Sequence, residues 1–149
     1  MKIREVLDGK HGPNGNEGPE IVTIGPDATV RELLRLLSTH NIGAVIVSSD
    51  GQSLDGIVSE RDIVRRLHDD EASLDGTVSR IMTSTVHSVS PDDSLEDTRR
   101  LMTDRRFRHV PVVDDGVLVG IVSIGDVVKA HIGQVEFERD QLDSYVRSV

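Results

Sequence analysis

The sequence contains no cysteine and no tryptophan, and only two Phe and one Tyr among its 149 residues. The absence of cysteine excludes disulfides, thiolate metal sites and cysteine nucleophiles. The few aromatic residues leave a core of Val, Ile and Leu, for which a hydrophobic fraction of 36% is sufficient. No apolar run reaches the roughly 18–20 residues of a membrane-spanning helix, and the N-terminus lacks an apolar signal segment. On these absences we expect a cytoplasmic protein that does not contact a membrane.

Positive charge is scarce overall but locally concentrated. The chain has 26 Asp plus Glu against 17 Lys plus Arg, a formal net charge of −9. We do not expect a nucleic-acid partner, because phosphate attraction dominates that kind of binding. Residues 99–108 nevertheless contain five arginines. Such a cluster on an acidic chain suits a small anion better than a long polyanion.

Motifs of known enzyme classes are missing. The sequence has no P-loop, no GxGxxG after a strand and no GxSxG. Its six histidines show neither the i, i+4 spacing nor the HExxH pattern of metal ligands. We therefore expect no enzymatic activity, no metal site and no required cofactor.

The chain contains two copies of one segment. Residues 21–67 align with residues 86–132, first at an offset of 65 and, after one extra residue in the first copy, at an offset of 64. Pro26 falls on Pro91 in the first part, and Gly56–Ser59 falls on Gly120–Ser123 in the second. Matches of this kind at nearly fixed spacing indicate an internal duplication.

Each copy predicts the order strand, helix, strand, hairpin strand, helix. The first helix is predicted from Val30, Leu33, Leu34 and Leu37, whose spacing gives one apolar face. Thr29 and Glu32 form a capping-box pattern before it, and Ser94 and Asp97 form a weaker one in the second copy. Asp-Gly pairs at 50–51 and 115–116 predict the hairpin turns. The predicted strands lie at residues 22–24, 44–47 and 54–58, and at 86–89, 110–113 and 117–122.

The duplication predicts the architecture. A three-stranded sheet with helices on one face cannot cover its own apolar surface in under about 50 residues. We expect an α+β (mixed α-β) fold of two β-α-β-β-α repeats packed sheet to sheet with pseudo-twofold symmetry and clefts between them. The predicted divisions are 1–20 (N-terminal helix and a Gly/Pro-rich loop at 9–19), 21–70 (repeat one), 71–85 (linker and lead-in helix), 86–132 (repeat two) and 133–149 (C-terminal helical tail).

Two seven-residue segments carry a family resemblance. Gly56–Asp62 and Gly120–Asp126 share the pattern Gly, apolar, any residue, Ser, two residues, Asp. This pattern resembles the ribose-phosphate signature of cystathionine-beta-synthase (CBS) repeats. Met82-Thr83 followed by Val89-x-Pro91, and the run His109–Val113, are similar to the same family. The resemblance covers residues 1 to about 132 and implies a tandem CBS module that binds an adenine nucleotide.

The resemblance also implies roles for individual residues. In the family the Asp binds both ribose hydroxyls and the Ser faces phosphate, so Ser59 and Asp62 would serve one cleft and Ser123 and Asp126 the other. This is chemically reasonable, because a carboxylate accepts two hydroxyl hydrogen bonds and helix N-terminal N–H groups attract anions. The implied adenine contacts are Thr23, Ile24, Ile42, Gly43, Ala44 and Val45 in the first copy, and Ser88, Val89, Arg108, His109, Val110 and Pro111 in the second. The candidates for holding phosphate or stacking on the base are Arg105, Arg106, Arg108 and His109, and Arg61 could supply charge to the first cleft.

A purely structural interpretation competes with this assignment. Both Ser-x-x-Asp pairs also satisfy the capping-box pattern, so each could act only as a helix cap, and capping can coexist with ligand binding. Arg99 and Arg100 lie on a helix face where we expect solvation or pairing with acids. The copies differ where the second has Arg108–Pro111 and the first has Gly43–Ile46, so we expect two sites of different affinity.

Two functions therefore stay open. The first is a regulatory module in which AMP, ADP, ATP, NAD or S-adenosylmethionine changes the conformation or dimer geometry and so signals to an unidentified effector protein. For it we expect a homodimer formed through the helices that start at Glu60 and Ile124. The second is a structural dimerisation adaptor with vestigial, empty clefts. A nucleic-acid binder using the arginine cluster is disfavoured by the acidic balance.

Overall fold

The computed structural model describes residues 1–10 and 21–148, without the side chain of Ala72. The described chain divides into two compact units. The repeat-one unit contains residues 21–88 and 113–119, and the repeat-two unit contains residues 1–10, 89–112 and 120–148. Each unit has its own aliphatic core, as expected of a chain with so few aromatic residues.

The elements confirm the mixed fold of two repeats. In chain order they are α1 (Ile3–Lys10), β1 (Thr23–Ile24), α2 (Val30–His40), β2 (Ala44–Val47), β3 (Gly56–Ser59), α3 (Glu60–Asp69), α4 (Leu95–Arg105), β4 (His109–Asp114), β5 (Val117–Ser123) and α5 (Ile124–Arg147), with 3-10 turns at Glu71–Asp75 and Val78–Arg80. In repeat one, β1 pairs in parallel with β2, and β2 pairs antiparallel with β3. In repeat two, β4 and β5 form a two-stranded sheet. The strand predicted at 86–89 is reduced there to a parallel bridge between Val89 and Val112.

The helix starts follow the capping chemistry of the sequence. The Thr29 hydroxyl accepts the N–H of Glu32 at 3.1 Å, and the Glu32 carboxylate accepts the N–H of Thr29 at 2.9 Å. At α4 the Ser94 hydroxyl accepts the N–H of Asp97 at 3.0 Å, without the reciprocal bond. The full box in the first copy and the half box in the second were both predicted.

The two hairpins differ. Asp115 and Gly116 have φ of 50° and 79°, which is the two-residue turn predicted for β4–β5. In the first copy a loop of residues 48–55 joins β2 to β3, and within this loop a positive φ occurs at Gly51 (81°) but not at Asp50. The prediction that the strand begins at Leu54 is therefore wrong. Asp50 organises this loop by accepting the N–H groups of Ser53 and Gln52, which lower the pKa of its carboxyl to about 2.

The segment ahead of each copy packs against the other copy. Val78, which precedes repeat two, donates its N–H to the carbonyl of Ala28 at 2.8 Å and is buried in the repeat-one core. Ile3, which precedes repeat one, donates to the carbonyl of Asp93 at 2.9 Å and is buried in the repeat-two core. A helical segment ahead of each copy was predicted, but its exchange between copies was not.

This exchange explains why both motif segments begin with glycine. A Cβ on Gly56 would lie 2.7 Å from the sulfur of Met82 and 2.9 Å from the carbonyl oxygen of Thr83. A Cβ on Gly120 would lie 2.8 Å from a methyl carbon of Leu7. Met82 and Leu7 occupy corresponding places in the two lead-in segments, so each glycine makes room for one of them.

The chain ends in one long helix. The predicted tail at 133–149 continues α5 without a break as far as Arg147, and Val149 lies outside the described residues. At the other end, Gly9 and Lys10 of the predicted loop belong to α1, and residues 11–19 lie outside the described residues. Among the helices that are described, none is long and apolar enough to cross a bilayer.

Candidate functional site

Each predicted Ser-Asp pair sits where a strand becomes a helix. The Asp62 carboxylate accepts the N–H and the hydroxyl of Ser59 at 2.8 and 3.0 Å, and the N–H of Asp62 donates back to that hydroxyl at 3.3 Å. At the start of α5 the Asp126 carboxylate accepts the N–H of Ser123 at 2.9 Å, and the Ser123 hydroxyl accepts the N–H of Asp126 at 3.1 Å. Both pairs are thus capping boxes, which confirms the predicted caps, and capping can coexist with ligand binding.

The capping geometry uses only one oxygen of each carboxylate. Among the described residues, the hydrogen bonds accepted by Asp62 and Asp126 all go to Oδ2. Oδ1 of each keeps its lone pairs, and a carboxylate has about four acceptor positions. Both side chains are half-buried. The caps therefore fix the acids in place while leaving acceptor capacity for a pair of hydroxyls.

In repeat one the sheet brings the other predicted residues to the same place. Ala44 lies opposite Ser59 across the β2–β3 pairing, and Thr23 lies opposite Ile46 across the β1–β2 pairing. Gly43 accepts the N–H of Glu60 at 2.9 Å, so the residue before β2 contacts the first residue of α3. The predicted residues on or next to these three strands are Thr23, Ile24, Ile42, Gly43, Ala44, Val45 and Ser59, and Arg61 is exposed on α3.

Repeat two assembles its residues by the same contacts. Arg108 accepts the N–H of Ile124 at 2.8 Å, and Pro111 accepts the N–H of Val89 at 3.0 Å. β4 begins after Arg108 and runs through His109, Val110 and Pro111, away from the start of α5. The exposed Ser88 precedes Val89 but is grouped with the repeat-one unit.

The arginine cluster separates into two groups. Arg99 and Arg100 pair with Glu96 at 2.5 and 3.4 Å, as expected for a solvated helix face. Arg105 and Arg106 are exposed at the end of α4, where Arg106 takes φ of 58° and caps the helix in the left-handed region. The main-chain carbonyl of Arg108 accepts a hydrogen bond from the N–H of Ile124, the first residue of α5.

Lys10 contacts the candidate site residue Asp126, a contact that sequence reasoning missed. Its ammonium donates to Oδ2 of Asp126 at 2.7 Å and to the carbonyl of Ile121 at 3.0 Å. Burial opposes ionisation of Asp126, but the Lys10 ammonium and the N–H and hydroxyl of Ser123 outweigh it, so the pKa of this carboxyl lies below its ordinary value. The sequence analysis placed Lys10 in the Gly/Pro-rich loop at 9–19 ahead of repeat one, and the exchange of α1 brings it here.

The two sites therefore differ in charge. In repeat one the Glu60 carboxylate lies 3.7 Å from the position that a Cβ on Gly43 would take. In repeat two the aligned residues are Ile124 and Arg108, and Lys10 is added. Among the described residues no group of three or more His, Asp and Glu could hold a metal ion.

Comparisons with known proteins agree with the duplication. The family model for the CBS domain matches residues 18–69 and 78–133. The chain is 37% identical over 126 residues to the CBS domain-containing protein CBSX3, mitochondrial, of Arabidopsis thaliana, an alignment that covers 81% of this chain and 61% of that protein. The chain thus spans less than two thirds of this relative.

Solved structures with the same fold are numerous. A CBS-domain containing protein from Agrobacterium tumefaciens matches with a TM-score of 0.79 and 39% identity, over 88% of this chain and 99% of that one. CBSX2, solved in complex with AMP, matches with a TM-score of 0.72 and 28% identity, over 91% of this chain and 98% of that one.

Proposed function

Because the chain belongs to the CBS-domain family, we propose that it is a non-catalytic regulatory module that binds an adenosyl ligand at each repeat. Asp62 and Asp126 accept the ribose hydroxyls through Oδ1, and Ser59 and Ser123 lie beside the phosphate. The observation that carries this proposal is the repeated geometry: each acid is held by its cap at a helix start, with one oxygen not used by the cap. AMP is the first ligand to test, since CBSX2 was solved with it.

We propose that the two repeats bind different ligands. In repeat two Lys10 binds Asp126 and the main chain of Arg108 contacts the first residue of α5, so this repeat prefers a ligand with a phosphate, such as AMP, ADP, ATP or NAD. Repeat one has Glu60 beside Gly43, which repels phosphate, so it binds an uncharged or cationic adenosyl compound such as S-adenosylmethionine more readily. The exposed Arg61 lies on the same helix and partly offsets Glu60 for ligands that extend towards it.

Titration calorimetry with single variants tests the ribose assignment. Asp126→Ala removes hydrogen bonds to a charged acceptor, each contributing about 1.5–3 kcal/mol, so we expect AMP to bind roughly 10–100-fold more weakly to repeat two. Asp62→Ala has the corresponding effect on S-adenosylmethionine in repeat one. Asp97→Ala is the matched control, because Asp97 is also the third residue of a helix capped by serine but lies on α4. If both acid variants bind like the control, the ribose assignment is refuted.

A second function, the structural adaptor with empty sites, is favoured by one observation. Both Lys10 and the cap of α5 use Oδ2 of Asp126, so this acid has a structural role whether or not a ligand binds. The adaptor function requires that AMP, ADP, ATP, NAD and S-adenosylmethionine all leave the melting temperature unchanged. The regulatory function requires a rise with at least one, because a ligand at about 100 times its Kd adds roughly 2.7 kcal/mol.

We also propose how the module signals to an effector protein. Ligand binding favours one conformation or dimer geometry and so changes the surface offered to an effector protein. Affinity capture with and without AMP should retain the effector in one condition only. We also propose a cytoplasmic location, which fractionation of cells expressing the full-length protein tests against the mitochondrial location in the name of CBSX3.

A further inference from the structure

Lys10 connects the lead-in helix α1 to the candidate ribose-binding acid of repeat two. Its ammonium donates to Oδ2 of Asp126 at 2.7 Å and to the main-chain carbonyl of Ile121 at 3.0 Å. Both charged side chains are half-buried, unlike the exposed ion pairs that contribute little to a structure. This contact therefore restrains the acid.

The packing of α1 places Lys10 at this acid. Ile3 and Val6 are buried in the repeat-two core, and Leu7 lies against Gly120 of β5. Lys10 follows Val6 by four residues and Leu7 by three, so it lies on the same face of the helix as these apolar residues. Apolar packing of α1 thus brings the ammonium to the start of α5.

The two repeats hold their acids by different donors. In repeat one, Oδ2 of Asp62 accepts the N–H and the hydroxyl of Ser59, both from the cap itself. In repeat two, Oδ2 of Asp126 accepts the N–H of Ser123 and the ammonium of Lys10. Hydrogen bonds between two ionised groups are stronger than those from a neutral hydroxyl, so Asp126 has the stronger second donor.

The alignment of the lead-in segments shows that this cation is particular to repeat two. Ile3–Leu7 aligns with Val78–Met82, so Lys10 aligns with Thr85. Thr85 is exposed and carries no charge. The duplication therefore places a cation at this position for one acid and not for the other.

The orientation of the Asp126 carboxylate decides how its other oxygen meets a ribose. Hydrogen bonds are directional, so two neighbouring hydroxyls are accepted well only when the carboxylate plane points correctly. Two donors on Oδ2 limit rotation of the carboxylate and so fix the direction of Oδ1. Without Lys10 only the N–H of Ser123 remains on Oδ2, and ligand binding then has to order the acid as well.

We propose that Lys10 is a positioning residue for ribose recognition in repeat two and acts on the ligand through Asp126. This inference rests on the proposed function, because it concerns the same acid and the same ligand. Attraction between Lys10 and a phosphate is a separate effect, since it is the same for ligands with and without ribose hydroxyls.

The ratio of the affinities for AMP and 2′,3′-dideoxy-AMP measures this positioning role by calorimetry. Both ligands carry the same base and phosphate, so only the hydroxyl contacts enter the ratio. In an Asp62→Ala parent, in which repeat two alone recognises the hydroxyls, we expect AMP to bind at least about tenfold more tightly. Lys10→Met should lower this ratio roughly threefold or more, by weakening AMP more than dideoxy-AMP.

Two further variants in the same parent control for other effects of the substitution. Lys10→Arg keeps a cation that can donate to the carboxylate, so it should restore most of the ratio. Arg4→Met removes a cation from the same helix, but Arg4 donates to the exposed Asp92 at 3.2 Å. Its ratio should equal that of the parent.

The possible results separate this inference from the proposed function. A ratio of one in the parent means that Asp126 does not bind ribose, and both proposals fail. An unchanged ratio in Lys10→Met, with the two ligands weakened equally or not at all, overturns the positioning role alone. Retained binding of dideoxy-AMP shows that the variant is folded.

Discussion

Replacing Lys10 with methionine should destabilise the protein measurably, although Lys10 lies at the end of a short helix near the N-terminus. Its side chain is 30% exposed and that of Asp126 is 25% exposed, and their charged atoms are 2.7 Å apart. Surface ion pairs contribute about 0–1 kcal/mol, whereas breaking a buried pair costs about 3–5 kcal/mol. For this half-buried pair we expect a loss of about 1–2 kcal/mol, or roughly 3–8 °C in Tm.

The pH dependence of this loss identifies its cause. The pKa of Asp126 is lower in the folded chain than its ordinary value of 3.8. Such a carboxyl adds stability above its unfolded pKa, and this contribution is lost as the pH falls through the folded pKa. The difference between wild type and Lys10→Met should therefore be complete at pH 7 and shrink steadily below about pH 4.

Urea unfolding at pH 7, 5 and 3 measures this difference. Lys2→Met is the matched control, because Lys2 lies 4.0 Å from Asp92 and both side chains are largely exposed. Its effect should stay below about 0.5 kcal/mol at every pH. The reasoning is refuted if Lys10→Met unfolds like Lys2→Met at pH 7, or if its deficit is as large at pH 3 as at pH 7.

Two further pairs of substitutions test the local structure. Gly56→Ala should lower the free energy of unfolding in urea by about 1–3 kcal/mol, because the new methyl meets the backbone oxygen of Thr83. Gly120→Ala should lower it less, because the Leu7 side chain can move. A larger loss for Gly120→Ala would contradict the packing of the lead-in segments. Arg106→Gly should raise stability by about 0.5–1 kcal/mol, since glycine adopts φ of 58° without strain, and should weaken AMP binding if Arg106 holds phosphate. Asn41→Gly is its control, because Asn41 caps α2 with φ of 51° and already tolerates this conformation. Calorimetry with unchanged AMP affinity in Arg106→Gly would remove this residue from the site.

Local signals predicted most elements correctly because they act within a few residues. The Thr29–Glu32 box, the Asp115-Gly116 turn and the apolar face of α2 each depend on neighbours in the chain. The strand at Val86–Val89 was predicted too long for the same reason. Apolar residues alone do not show how many residues pair with a neighbouring strand, and here the pairing is a single bridge between Val89 and Val112. The loop at 48–55 was misread because Asp50 uses its carboxylate, rather than a two-residue turn, to reverse the chain.

The site was only partly predictable because its contacts span long sequence separations. The Ser-Asp pairs could be found, since capping boxes and the family pattern use the same three-residue spacing. The contact between Lys10 and Asp126 joins residues 116 apart and follows from the exchange of the lead-in segments. The similarity of Ile3–Leu7 to Val78–Met82 indicates that each copy has a lead-in segment. It does not show which copy each segment packs against.

The central claim is that Asp62 and Asp126 bind the ribose diol through the oxygen that their caps leave available. Comparing AMP with 2′,3′-dideoxy-AMP by calorimetry on the wild-type protein tests it without any mutation. Loss of both hydroxyls leaves a half-buried carboxylate without its partners, so the dideoxy compound should bind at least about tenfold more weakly. Equal affinity for the two nucleotides would show that neither acid recognises ribose and would contradict the account.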